Sequence, residues 1–152
     1  MHYNFGEYEQ ALNDYERSLA QATAARVRMF ELWSRTMLAA RASEAGWPDA
    51  EARFADSLRH LAANRIWSRA YGVLAALADH WVGLGRLDQA AVLIGFLDAR
   101  DPVSMFLVAR QRERAGAAVA AYPAGATGTA RGRDLDRHAI LDFALTELAH
   151  PT

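Results

Sequence analysis

The feature that most constrains the fold of this chain is one helical pattern that occurs three times at nearly constant spacing. In the clearest copy, residues 85–97, a large apolar residue is followed by Ala three positions later and by a second large apolar residue after seven. The copies start at Tyr8, Trp47 and Leu87, which are 39 and 40 residues apart. Such offsets fall on one face of an α-helix. The chain is therefore predicted to be a helical repeat.

A partner helix is predicted before each of the two later copies. Apolar residues recur at helical spacing over residues 30–40, and they step by three and four without a break over 67–84. Gly46 and Gly85 follow these segments, where glycine commonly stops a helix, and Asn64 is a candidate N-cap for the second one. Antiparallel helix pairs at this interval form a solenoid, because one hairpin cannot bury its own apolar face.

The carboxyl-terminal part of the chain has a different composition. Residues 122–133 are rich in Ala, Gly and Thr, which predicts a loop, and Asp134 or Asp136 is expected to cap a last helix. The predicted apolar stripe of that helix consists of Leu141, Ala144, Leu145 and Leu148. The sequence thus predicts helical repeats over 1–121, a loop over 122–133 and a packing helix over 134–152. No stretch alternates with a period of two, so no sheet is expected.

Composition excludes several classes of protein. The 152 residues include no cysteine and carry a net charge of −1, which argues against disulfides and against a general polyanion binder. No apolar run reaches the roughly 20 residues that span a bilayer. The first residues lack the basic and apolar segments of a secretory signal, so we expect a cytoplasmic protein without membrane partners.

Two copies of the pattern resemble the second helix of a tetratricopeptide repeat. The residues that carry this resemblance are Gly6, Tyr8, Ala11 and Tyr15 in the first copy and Gly85, Leu87, Ala90 and Ile94 in the third. The second copy departs from the family by having Ala45 in place of the glycine. The resemblance implies an all-α fold, a right-handed α-α superhelix of about seven antiparallel helices.

The resemblance also implies a binding groove. In tetratricopeptide repeats the first helix of each pair lines the concave surface, and transfer of those positions points to Glu31, Arg35, Arg69 and Asp79. Charged groups there are expected to select a protein or peptide partner by charge complementarity. The alternative is an ordinary solvated face on which Glu31 and Arg35 merely pair one turn apart.

A narrower resemblance covers residues 67–149. The run 85–100, followed by Gly132-Arg133-Asp134-Leu135 before an Ala-rich helix, is similar to the carboxyl-terminal helical region of large actinobacterial ATP-binding, LuxR-type transcriptional regulators. This implies a sensor or interaction region whose partner is a protein or another domain of the same regulator. Nothing in the chain resembles the ATPase or DNA-binding module, and no catalysis, cofactor or metal is expected.

Several weaker patterns have a plain interpretation beside a functional one. The glycines of residues 125–132 resemble a dinucleotide-binding turn, but such a turn follows a strand, and a loop is expected. Asp134, Asp136 and His138 offer metal ligands, but helix capping and solvent exposure are the expected roles. The aromatic residues Trp33, Trp67, Tyr71 and Trp81 are expected in the core rather than in a stacking site. His60 and His80 lack any partner motif and are expected to be structural or exposed.

Two rival functions stay open at this point. A nucleic-acid-binding protein would use Arg110, Arg112 and Arg114, or the arginines of residues 131–137, and its binding would weaken steeply with salt. A small helical enzyme would place His80 and Asp79 in a deep pocket.

The first copy of the pattern lacks a preceding partner helix. We therefore expect the chain to belong to a larger regulator or to self-associate through the uncovered face. The candidate residues on that face are Tyr8, Leu12, Tyr15 and Leu19.

Overall fold

The chain is helical throughout the part that the structure describes. This computed structural model describes residues 5–100 and 109–150, with side chains from residue 9 onward. Contacts divide the chain into two compact units, Met1–Asn64 and Arg65–Thr152. The first holds α1 (Phe5–Ala24), α2 (Arg28–Glu44) and α3 (Ala50–Ala63), and the second holds α4 (Trp67–Gly83), α5 (Leu87–Arg100), α6 (Ala109–Ala121), α7 (Gly125–Asp134) and α8 (Arg137–Ala149). The predicted all-α class is confirmed, with eight helices and no strand in the described ranges.

The helices of the amino-terminal unit pack in chain order, α1 on α2 and α2 on α3. Four residues from the three helices form a buried apolar cluster: Leu12, Leu38, Ala42 and Ala50. Half-buried residues cover the edge of this cluster: Tyr15, Leu19, Ala45 and Trp47. The apolar face of α1 is thus used to hold α1 against the following hairpin.

A polar contact adds to this packing at the surface. Arg53 on α3 donates from Nη2 to Glu16 on α1 at 2.9 Å and from Nε to Asp49 at 2.8 Å. Burial lowers the pKa of the Arg53 guanidinium, but the hydrogen bonds to the two carboxylates outweigh that effect and raise its pKa. Arg53 therefore links α1 to α3 as a permanent cation.

The turns between helices recur at a constant interval. Arg26 and Arg65, before α2 and α4, have φ angles of 55° and 56°, and Gly46 and Gly85, after the same helices, have φ angles of 68° and 77°. Each pair is 39 residues apart, and so are the starts and ends of α2 and α4, which are both 17 residues long. The backbone of α2 and its flanking turns therefore recurs once, in α4, at an interval within one residue of the 40 predicted between the second and third copies of the pattern.

Asn64 does not cap α4, so that prediction is wrong. Its side-chain amide donates to the carbonyl of His60 at 2.7 Å, which makes it part of the end of α3. The residue that precedes α4 is Ile66, whose side chain makes no capping hydrogen bond. The left-handed Arg65 between them turns the chain, so Asn64 belongs to the preceding helix.

The prediction of a loop over 122–133 is also wrong, because most of that segment forms α7. Glycine costs about 1 kcal/mol relative to alanine inside an isolated helix, and this is why the composition predicts a loop. The segment is helical here because α7 lies along α5, and tertiary packing overrides the local preference.

Glycines at the contact let the backbones of α5 and α7 touch. A Cβ atom placed on Gly95 of α5 would overlap the backbone of Thr129, and one on Gly132 of α7 would overlap the carbonyl of Val92. Gly128 lies against α5 one turn before Gly132, where a Cβ would come within 2.6 Å of a side chain of α5. The glycines that predict a loop therefore create the helix–helix contact instead.

The last helix begins at Asp136, one of the two predicted caps. Its carboxylate accepts hydrogen bonds from the backbone N–H groups of His138 at 2.8 Å and Ala139 at 2.9 Å. The buried residues of α8 are Ile140, Ala144 and Leu148. The predicted stripe is correct at Ala144 and Leu148, but Leu141 and Leu145 are only half-buried and Ile140 is buried instead, so the buried face is centred differently.

Aromatic contacts hold α8 in the carboxyl-terminal unit. Trp81 is fully buried, with the Arg86 guanidinium 4.9 Å above its ring and Phe143 edge-on at 6.3 Å. Arg86 is itself buried and donates to the Glu147 carboxylate at 3.1 Å. The core prediction is confirmed for Trp81, whereas the other three predicted aromatic residues are half-buried: Trp33, Trp67 and Tyr71.

We predict that truncation of the largest buried side chain in each unit strongly destabilises the protein. Phe54 and Trp81 are both fully buried, so Phe54→Ala or Trp81→Ala removes packing without room for full relaxation. The expected loss is roughly 3 to 5 kcal/mol in the free energy of unfolding. Urea unfolding of the full chain measures it, and wild-type stability in both variants would contradict the packing described above.

A matched pair of glycine substitutions tests the contact between α5 and α7. Gly132→Ala should destabilise the chain by about 1 to 3 kcal/mol, because the new methyl group overlaps the α5 backbone. Gly116→Ala on α6 is the control, since its Cβ would meet no atom within 4 Å. That change should stabilise the helix by about 0.5 to 1 kcal/mol. Equal thermal midpoints for the two variants would contradict the glycine contact.

Candidate interaction surface

Four ionisable side chains meet on the surface of the amino-terminal unit, where α2 lies against α3. Arg35 donates to Glu31, one turn earlier on α2, at 3.2 Å and also pairs with Asp56 on α3. His60 has Nε2 3.7 Å from the Glu31 carboxylate and Nδ1 3.8 Å from that of Asp56. We call these residues the α2–α3 network.

The network is only partly open to solvent. The side chains of Glu31 and Arg35 are each 19% exposed, whereas those of Asp56 and His60 are 52% and 39% exposed. Charges that are partly shielded from water interact more strongly than fully exposed ones, so Arg35 is held firmly between its two carboxylates. The two carboxylates are largely balanced by the one guanidinium. The network thus presents fixed polar groups with little net charge.

Shallow clefts lie on both sides of the network. One, of about 260 Å³, is lined by Leu19, Arg35, Leu38, Ala52, Arg53 and Asp56. The other, of about 330 Å³, is lined by Thr23, Arg26, Arg28, Glu31, Leu32, His60 and Asn64. The lining of the first cleft combines apolar and charged side chains, and that of the second is mainly polar. Clefts of this kind suit individual side chains of a bound segment rather than a whole small molecule.

The structure brings two of the predicted groove residues together and adds two that the sequence reasoning missed. Glu31 and Arg35 pair one turn apart, as the plainer interpretation of the sequence expects. The sequence patterns assign no role to Asp56 and predict a structural or exposed position for His60. The available signal was their own spacing of one helical turn on α3, which puts both on the face that meets α2.

Arg69 and Asp79 do not occupy the repeat positions of Glu31 and Arg35. Displaced by the 39-residue interval, those two positions correspond to Ala70 and Leu74, which are both buried. Within the carboxyl-terminal unit, Asp79 pairs with Arg114 of α6 at 3.1 Å, and Arg69 is half-buried near the start of α4. The charged network is therefore a property of one hairpin and is not repeated in the next.

The residues predicted for self-association have different surroundings. Leu12 is fully buried inside the amino-terminal unit, so it cannot belong to an exposed face and that part of the prediction is wrong. Tyr15 and Leu19 are half-buried against the same cluster. The side chain of Tyr8 lies outside the described residues.

Two of the arginines considered for nucleic-acid binding are paired with carboxylates. Arg112 donates to Asp98 at 3.2 Å, and Arg114 is the partner of Asp79. Arg110 is exposed at the start of α6. Paired guanidiniums have less charge to offer a phosphate backbone, because binding depends on net neutralisation of phosphates.

The patterns considered for metal and dinucleotide binding have structural roles. Asp136 caps α8, and residues 125–132 lie in α7, which follows a helix rather than a strand. Among the described residues, no three His, Asp or Glu side chains are grouped so that they could hold a metal ion. His80 and Asp79, considered for a small enzyme, line none of the clefts described here.

A larger cleft, of about 890 Å³, lies in the carboxyl-terminal unit beside α5, α6 and α7. Its walls include Ile94, Val119 and Pro123 together with the paired Asp98 and Arg112. Tyr122, also in the wall, has its pKa raised by a hydrogen bond to Asp88 and by burial. A tyrosine hydroxyl with a raised pKa stays protonated at neutral pH, so it serves as a hydrogen-bond donor rather than as a base.

Comparison with known proteins adds no relationship. No protein-family model, curated protein or solved structure matches this chain. In the ranges that the structure describes, no helix combines the length and the apolar character needed to cross a membrane.

We predict that the contribution of the Asp136 cap to stability depends on pH. Hydrogen bonds from the backbone N–H groups of Ala139 and then His138 lower the pKa of the Asp136 carboxyl. Because the pKa of this carboxyl is lower in the folded than in the unfolded protein, its ionised form stabilises the fold. The stabilisation is complete above the unfolded-state pKa of about 3.9 and is lost as the pH falls through the folded-state pKa. Asp136→Ala should therefore lower the thermal midpoint at pH 7 and have little effect at pH 2.

Asp136→Asn is the control for this experiment. Asparagine caps a helix without titrating, so the difference in midpoint between this variant and Asp136→Ala should be the same at both pH values. An equal effect of Asp136→Ala at both pH values would rule out the charged cap. The measurement is circular dichroism at the two pH values.

Proposed function

We propose that this chain is a non-catalytic helical-repeat scaffold that binds a protein partner through the surface around the α2–α3 network. The observation that carries the proposal is the recurrence of the same turn conformations and the same helix length after 39 residues. Repeats of helical hairpins create extended surfaces whose usual role is to bind other chains. The finer proposal is that the hairpins belong to a tetratricopeptide-like superhelix.

The α2–α3 network supports this function by its geometry. Its four side chains fix one another across two helices, so little side-chain entropy is lost when a partner docks. Fixed charges between two clefts discriminate among partners by charge pattern more than they add affinity. A segment with a cation opposite Asp56 and an apolar side chain over Leu19 and Leu38 would satisfy the first cleft.

The regulatory context is the second part of the proposal. The similarity to the helical region of ATP-binding transcriptional regulators supports a role as the sensor or interaction part of such a protein, acting in the cytoplasm. Its partner would then be another protein or other domains of the same regulator. An ATP-binding domain encoded in the same or the adjoining reading frame would support this context, and a gene neighbourhood without one would count against it.

Selection from a displayed library of random peptides tests the binding function. The full chain should enrich peptides with a shared charge pattern, and a purified peptide should bind with its affinity weakened about fivefold or more by Asp56→Asn. Asp142→Asn on α8 is the matched control, because that carboxylate is exposed in the other unit. Failure to enrich any binding peptide would remove the proposed function.

A further inference from the structure

An exposed apolar and basic segment lies next to the α2–α3 network. Among the described residues, only four large hydrophobic side chains are exposed, and three of them fall in one stretch: Val27 at 41%, Met29 at 53% and Phe30 at 62%. Arg26 and Arg28 alternate with them, so five consecutive residues combine apolar and cationic side chains. We call residues 26–30 the turn surface.

The hairpin itself does not require apolar residues at positions 29 and 30. The repeat interval of 39 residues relates Met29 and Phe30 to Ser68 and Arg69, which occupy the same positions at the start of α4. The second hairpin has the same helix length and the same turn conformation with two polar residues there. Exposure of the Met29 and Phe30 side chains to water is unfavourable, and the fold does not need these side chains. A role in binding explains their presence.

The charges of the turn surface indicate the chemistry of its partner. Within the described ranges, neither Arg26 nor Arg28 has a carboxylate partner, and both line the polar cleft that ends at Glu31 and His60. Two unpaired guanidiniums beside three apolar groups are complementary to a segment that carries carboxylates next to large apolar side chains.

We propose that the turn surface docks an acidic amphipathic helix of a partner protein, an inference that rests on the proposed scaffold function. The apolar side of that helix covers Met29 and Phe30, and its carboxylates pair with Arg26 and Arg28. The adjoining cleft contributes hydrogen-bonding groups from Thr23 and Asn64, which suit a polypeptide.

Two fluorescein-labelled peptides test this inference by anisotropy with the full chain. The two peptides have the same length and the same row of leucines along one helix face. Beside that row, one peptide carries Glu and the other carries Lys. The Glu peptide should bind at least about tenfold more tightly than the Lys peptide, and its affinity should fall with salt. Phe30→Ala should weaken the binding about tenfold, and Arg28→Gln about fivefold.

The chain provides matched controls for substitution of Phe30 and of Arg26. Leu84→Ala removes the fourth exposed hydrophobic side chain, which is 57% exposed and lies in the other unit. Arg26→Gly removes a guanidinium and relieves a positive φ angle, and Arg65→Gly makes the same change at the repeat-related turn. Only Phe30→Ala, Arg28→Gln and Arg26→Gly should weaken binding of the Glu peptide.

Several results would overturn the inference. They are equal binding of the two peptides, absence of binding by both, and equal loss in the control variants. Binding to phosphatidylserine vesicles or duplex DNA that depends on Phe30, without binding of the Glu peptide, would identify a different partner class. Library-selected peptides that bind Phe30→Ala like the wild type would leave the scaffold function intact and remove this surface from it.

Discussion

The backbone contact between α5 and α7 is the constraint on which the carboxyl-terminal unit depends. Helices normally keep their axes apart by the length of their side chains, and glycines remove that spacing. Because Gly95 and Gly132 stand at the contact, α7 forms although its composition disfavours a helix. The large cleft of this unit has α7 as one wall, and α8 continues from it after Leu135. Both features follow from the same pair of touching backbones.

The helical repeat could be predicted from the sequence because periodic apolar residues report directly on burial. Phe54 and Trp81 were placed correctly in the core, and Gly46 and Gly85 correctly in the turns. The α7 segment could not be predicted, because glycine has the same local preference in a loop as at a close helix contact. The difference lies in α5, which is distant in sequence, and no local pattern contains that information.

The candidate surface was predicted only in part, for a related reason. Glu31 and Arg35 are visible as a pair because both lie on one helix, whereas their contact with Asp56 and His60 depends on how α2 meets α3. Side-chain pairs within a helix can be deduced from their spacing in the sequence. Prediction of pairs between helices also requires the rotation of each helix about its own axis, which the spacing does not give. The equivalent positions in α4 are apolar, so the repeat pattern itself gave no indication of the network.

The recurrence of the turns has a consequence for which segments of such a chain can be exchanged. Arg26 and Arg65 have nearly the same left-handed φ angle, and each leads into a helix of 17 residues. Replacement of residues 26–44 by the corresponding residues 65–83 would therefore keep the φ angle of the first residue and the length of the helix. A turn together with the helix that follows it is thus the segment whose exchange disturbs the local backbone least.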